Sequence, residues 1–145
     1  ALCCDVVVAA ESASFIQAFS KIGLIPDSGG TYSLPRLIGW QRASALMLMG
    51  DKVSATDAER MGMIYKVFPD ESFGDESYRL ALGLAKMPTR GLAFTKELLN
   101  KSFTSTFEDQ LQNEDIYQQR AAQTADYKEG VKAFLEKRLP DFKGE

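Results

Sequence analysis

The stretch FSKIGLIPDSGG, residues 19–30, sets one carboxylate between a Leu-Ile-Pro run and a Gly-Gly pair. That carboxylate is Asp27, and two kinds of work suit it. As a cap, Asp27 or its neighbour Ser28 would accept free N–H groups at the start of a helix opening after the glycines. Such a cap is worth about 1 kcal/mol. As an acid–base group, Asp27 would move a proton on a bound substrate. Residue type and spacing leave both open. The rest of the inventory narrows the chemistry. The chain has no histidine, which removes a Ser-His-Asp triad, a Cys-His pair and the usual zinc sites. Any acid–base step on this chain therefore falls to a carboxylate, a lysine or a tyrosine. Gly29 and Gly30 lack a P-loop lysine, so they read as close backbone packing rather than a phosphate cradle. Cys3 and Cys4 are adjacent. On a strand they point to opposite faces, so they are expected as reduced, buried thiols of a cytoplasmic protein, with no disulfide.

These residues need elements to position them. The chain has 145 residues, 45% hydrophobic and 26% charged, with a net charge of -3. That is an ordinary globular composition for one domain. The mildly acidic balance argues against nucleic acid, and no apolar run approaches a membrane span. The opening ALCCDVVVAA has no initiator Met or signal peptide, and reads as the entry to the C-terminal part of a longer protein. A buried strand is expected over 4–10, a turn at ESAS and a second short strand at SFIQAF. In TYSLPRLIG, Pro35 predicts a helix that is short or begins near it. WQRASALMLMG is a helix stopped by Gly50. Ser54 with Asp57 opens the next helix and Gly62 stops it. A strand follows over 63–68.

After Pro69 the pattern becomes helix after helix. Helices are expected over 72–86 and 89–103, the latter with Leu92, Leu99 and Phe103 on one stripe. A third is expected from Ser105 with Glu108 as its capping partner. A fourth is expected from Asp126 with Glu129, ending before Pro140. The division is thus an α/β part over 1–68 and a helical part over 69–145. Trp40 reads as a helix-packing residue. Met47, Met49, Met61 and Met63 read as core or subunit-contact fillers, and Tyr32 as facing either a pocket or solvent.

Four stretches, CDVVVAAESASF, GLIPDSGGTYSLPRLIG, SATDAERMGMIYKVFP and EGVKAFLEKRLPDFKG, resemble the crotonase, or enoyl-CoA hydratase/isomerase, family in order and spacing. The resemblance implies an α/β fold: part of a crotonase ββα spiral core, followed by a C-terminal helical region. It implies a coenzyme A thioester as substrate and an enolate held by two backbone N–H groups of an upstream Gly-rich segment. No separate cofactor is implied, because coenzyme A is part of the substrate, and no metal. Family hydratases carry a glutamate where this chain has Phe19, in Gln17-Ala18-Phe19. A second hydratase glutamate would lie upstream of Ala1. The stretch AFSKIGLIPD is similar instead to the ring-1,2-epoxyphenylacetyl-CoA isomerases of phenylacetate breakdown, in which the aspartate matching Asp27 is the acid–base residue.

Carried over position by position, the resemblance makes Asp27 catalytic. It makes Phe19, Leu24, Ile25 and Pro26 substrate-binding, and Phe134 and Lys137 contacts to the CoA nucleotide. Burial beside Phe19, Leu24 and Ile25 would raise the pKa of Asp27, and the nearby helix N-terminus would lower it. Phe134 and Lys137, three apart, would share a helix face, a ring beside a cation. The implied assembly is a homotrimer or a dimer of trimers, built through the C-terminal helices, in the cytoplasm, with neither nucleic acid nor membrane as partner. Alternatives are an enoyl-CoA hydratase or enoyl-CoA delta-isomerase of fatty acid oxidation, and an inactive acyl-CoA-binding or oligomerising module. Without the upstream segment, the chain alone is expected to be inactive.

Overall fold

Val8–Ala10 forms strand β1 and Ser14–Ile16 forms β2, and each finds its partner far along the chain. In the computed structural model, which describes all of Ala1–Glu145, β1 pairs in parallel with β4 (Lys66–Phe68), with Val8 opposite Lys66. β2 pairs antiparallel with β3 (Lys52–Ser54), with Phe15 opposite Val53. Two compact units result, Ala1–Tyr78 and Arg79–Glu145. No helix is long and apolar enough to cross a membrane.

In the first unit, helices α1 (Gly30–Ile38), α2 (Trp40–Met49) and α3 (Ala55–Arg60) surround these strands. Leu34 and Ile38 lie one turn apart on α1, so they fall on one face, and both are buried. The fully buried Ala43 of α2 and Ala55 and Ala58 of α3 belong to the core, which Val53, Met63 and Ile64 complete. Ser54 caps α3 as its spacing predicts, accepting the Asp57 N–H at 3.1 Å. Gly50 stops α2 in the left-handed conformation.

Several expectations need correction. The strand expected over 4–10 shrinks to Val8–Ala10, because a strand persists only where a ladder partner lies beside it. Tyr65 N–H bonds the Val7 carbonyl at 2.8 Å, but Met63 N–H turns back to Ala58, so the pairing starts there. Residues 1–4 form a turn closed by Cys4 N–H on the Ala1 carbonyl, and Cys3 and Cys4 are free and exposed, not buried. Pro35 sits inside α1, and of the two readings the short helix is the one found, nine residues long. A proline there costs one intrahelical bond, which a nine-residue helix anchored by two buried side chains tolerates. Trp40 is 77% exposed and packs against no helix core. Of the methionines, Met63 is buried, Met47 and Met61 pack on the core, and Met49 is exposed.

Helix α4 (Phe73–Ala85) carries the boundary between the units, which the sequence pattern placed after residue 68. The second unit holds α5 (Thr89–Ser102), α6 (Phe107–Ala122) and α7 (Ala125–Glu136). Phe94 on α5 meets Tyr117 on α6 edge to face, with centroids 5.5 Å apart. The Tyr117 hydroxyl donates to Glu97 at 2.6 Å, and that hydrogen bond pushes its pKa up. The stripe of Leu92, Leu99 and Phe103 stays exposed.

Both caps expected here move. Thr106, not Ser105, caps α6, accepting the Asp109 N–H at 3.1 Å. The Ser105 hydroxyl donates instead to the Lys101 carbonyl at the end of α5. Thr124, not Asp126, caps α7 through the Tyr127 N–H. Asp126 is 3% exposed and does other work. Its carboxylate accepts the Lys143 N–H at 2.7 Å and the Gly144 N–H at 2.8 Å, which ties the last residues of the chain to α7. Glu129 is likewise no cap. Arg138 grips it with two guanidinium nitrogens at 2.6 and 2.9 Å, and the Asp141 N–H adds a third bond at 3.0 Å. These donors, Arg138 first, hold the Glu129 carboxyl at about 2.

Candidate active site

The segment that carries Asp27 leaves β2 at Gln17 and enters a 3₁₀ turn, Ala18–Ile22, which Gly23 ends in the left-handed conformation. Phe19 lies half-buried in that turn, and its carbonyl accepts the Leu24 N–H at 2.9 Å. The turn rests against the end of α2. A Cβ on Gly50 would come within 3.0 Å of Lys21 Cε, 3.1 Å of Ser20 Oγ and 3.3 Å of the Gln17 carbonyl. Only glycine combines that close approach with the left-handed backbone found there. Gly50, read from sequence as a helix stop, therefore also seats this segment.

After residues 24–26, which belong to no helix or strand, comes a tight turn over 27–30. Gly30 N–H bonds the Asp27 carbonyl at 2.8 Å. Both central residues are left-handed, Ser28 at φ 50° and Gly29 at φ 77°, which is the pattern of a type I′ turn. Such a backbone costs a serine about 1 kcal/mol relative to glycine. The cap position of α1 is Gly29, and no side chain bonds to the helix start. The capping role open to Asp27 or Ser28 is thus not taken by either. Asp27 is the first residue of the turn and is held there through its main chain, which leaves its exposed carboxylate unengaged by α1.

Phe19, Leu24, Ile25, Pro26 and Asp27 share this one segment, but the apolar burial expected around Asp27 is not found. Phe19 and Pro26 are half-buried, whereas Leu24 is 59% and Ile25 81% exposed. Leu24 and Ile25 belong to no helix or strand, and no element of this unit packs over their side chains. Tyr32, one turn into α1, lies under Arg36, whose guanidinium carbon is 3.5 Å from the ring centroid. One face of that ring is therefore covered by a cation.

Phe134 and Lys137 belong to the second unit. Phe134 is 82% exposed, so it does not fill a core. The expectation that the two residues share a helix face fails, because α7 has already ended at Lys137. Lys137 is left-handed at φ 53°. Its N–H bonds the Phe134 carbonyl at 3.3 Å, and the Arg138 N–H bonds the Ala133 carbonyl at 3.1 Å. That pair of bonds is the Schellman stop, in which lysine stands where glycine is usual.

The family described as enoyl-CoA hydratase/isomerase matches residues 1–145. The chain is 50% identical over 140 residues to the 1,2-epoxyphenylacetyl-CoA isomerase of Escherichia coli K12, covering 97% of this chain and 53% of that protein. It is 44% identical over 144 residues to a Rhodobacter capsulatus protein named "Probable enoyl-CoA hydratase", covering 99% and 56%. The crystal structure of enoyl-CoA hydratase from Bacillus anthracis superimposes with a TM-score of 0.94 at 35% identity, covering 99% of this chain and 56% of that one. The chain spans about half the length of the curated relatives it matches.

Proposed function

Because this chain belongs to the enoyl-CoA hydratase/isomerase family, we propose that the whole protein is an acyl-CoA isomerase that converts ring-1,2-epoxyphenylacetyl-CoA in phenylacetate catabolism. The observation that carries the reading is Asp27 itself. It is a carboxylate with no capping duty, set on a hydrogen-bonded turn, with the apolar Phe19 earlier in the same segment. In this reading Asp27 takes a proton from the carbon beside the thioester carbonyl. Charge then moves to the thioester oxygen, where two backbone N–H groups outside this chain stabilise it. The same carboxylate returns the proton at another carbon as the epoxide ring expands to an oxepin. Phe19 keeps a second negative charge and an ordered water away from the reacting carbons. That suits one-base proton transfer and disfavours addition of water.

Hydration of an enoyl-CoA is the second reading, favoured by the 44% identity to the protein named as a hydratase. Phe19→Glu separates the two. Its carbonyl holds the turn, so exchange of the side chain leaves the backbone bond in place. Wild-type protein is expected to isomerise the epoxide and hydrate crotonyl-CoA slowly, and Phe19→Glu to raise hydration relative to isomerisation. Wild-type hydration of crotonyl-CoA as fast as epoxide isomerisation would reverse the choice.

The CoA nucleotide is proposed to lie against Phe134 and Lys137. Lys137 allows binding and backbone effects to be told apart. Lys137→Ala removes the ammonium and keeps the strained backbone, whereas Lys137→Gly removes both. Both variants are expected to raise KM for acyl-CoA several-fold at low salt with kcat little changed, because the contact is remote from the reacting carbon. Added salt shrinks the effect. Lys137→Gly alone should gain about 1 kcal/mol of stability. An unchanged KM at low ionic strength removes Lys137 from the site.

A homotrimer or dimer of trimers is proposed as the assembly. Support comes from the exposed apolar side chains of the second unit: Leu92, Leu99 and Phe103, and on α7 Val131, Phe134 and Leu135. Light scattering at micromolar concentration should give three or six subunits, and a monomer contradicts it. The free thiols of Cys3 and Cys4 suit a reducing, cytoplasmic compartment.

A further inference from the structure

Ser28 and Lys137 are the non-glycine residues with a left-handed backbone. The conformation at Lys137 has a local cause, because it ends α7. Ser28 has none. Gly29 already supplies the cap position of α1, and glycine at 28 would form the same turn without strain. Asparagine or aspartate in such a turn often compensates through a local side-chain bond. The Ser28 hydroxyl caps nothing and makes no hydrogen bond within the chain, and the residue is exposed. The chain thus keeps a strained hydroxyl beside Asp27 with no internal return. Strain of this kind, held next to a reactive group, points to a ligand.

We propose that Ser28 is a second substrate-contacting residue. Its hydroxyl hydrogen-bonds an oxygen borne by the acyl group beyond the thioester carbonyl, as an epoxide oxygen is, next to the carbon that Asp27 serves. A hydroxyl can donate to the epoxide oxygen before the ring opens and to the ring oxygen afterwards. Ser28 therefore selects oxygen-bearing acyl groups over plain enoyl chains. The inference rests on the reading of Asp27 as the proton-transfer residue.

The test uses the whole protein with Ser28→Ala and Ser28→Gly, each assayed on 1,2-epoxyphenylacetyl-CoA and on a plain 3-enoyl-CoA, with Tm measured alongside. Both variants should lose about tenfold in kcat/KM on the epoxide, the worth of one hydrogen bond. Neither should lose more than about twofold on the enoyl substrate. Ser28→Gly should raise Tm while losing that activity, a combination a turn-only role does not produce. Wild-type kcat/KM on the epoxide in Ser28→Gly overturns the proposal. So does an equal loss on both substrates, which would place the hydroxyl on Asp27 rather than on the acyl oxygen. Asp27→Asn run in parallel keeps the two readings apart. If it retains turnover, the Asp27 reading falls and this one with it. If it loses turnover while both Ser28 variants keep theirs, this inference alone falls.

Discussion

Asp27→Asn is expected to lower kcat of the whole protein by about 10²- to 10⁴-fold, the usual contribution of a positioned general acid–base group. KM for the acyl-CoA should stay within about twofold, because proton transfer is felt in the transition state and hardly in the bound ground state. Asparagine is a fair probe here for a structural reason. The turn over 27–30 is closed by the Asp27 main-chain carbonyl, and no side chain caps α1. The substitution therefore removes the carboxylate and keeps the turn. Stability should change by no more than about 0.5 kcal/mol, as for an exposed position without a structural bond. A steady-state assay and a thermal melt on the same preparation decide the matter. Near-normal kcat would take proton transfer away from Asp27. A large fall in Tm would mean that the carboxylate holds structure after all.

Asp126→Ala is expected to cost the second unit about 3 kcal/mol or more, since two hydrogen bonds to a charged acceptor are lost at once. The carboxylate is almost wholly buried and accepts the N–H groups of Lys143 and Gly144. Alanine leaves both donors without a partner. The chain end has other attachments nearby. Phe142 lies 3.5 Å from where a Cβ on Gly130 would stand, and the left-handed Gly144 would meet Thr89 if it carried one. Those contacts depend on the end staying docked, so its loss should be cooperative. Asp126→Asn keeps one acceptor and should fall between alanine and wild type. Amide exchange gives the local readout: Lys143 and Gly144 are expected to be protected in the wild type and to exchange rapidly in Asp126→Ala. Unchanged protection would show that other contacts hold the chain end.

How much of this was legible in the sequence varied with the range of the forces involved. The order of α/β and then all-α elements could be read directly. So could the Ser54–Asp57 cap, the Gly50 stop and the four helices after Pro69. These are decided within a few residues, by apolar period, side-chain oxygens near free N–H groups, and glycine's access to the left-handed region. The family too could be read, because several short motifs stand in order along one chain.

Other features were settled only by tertiary structure. Ser105 with Glu108 fits a capping pattern, but the Ser105 hydroxyl turns back to α5 and Thr106 caps α6. Asp126 looked like a cap, but its partners lie 17 and 18 residues downstream, beyond any local pattern. β1 is three residues long because its ladder partner is only that long. Leu24 and Ile25 have the composition of a pocket wall and the exposure of a surface, since hydrophobicity fixes what burial would gain and not whether another surface arrives to provide it. In the same way the motif around Asp27 could be recognised from its residues. That neither Asp27 nor Ser28 caps α1 followed only from the left-handed pair at Ser28 and Gly29, a backbone state that a serine does not announce.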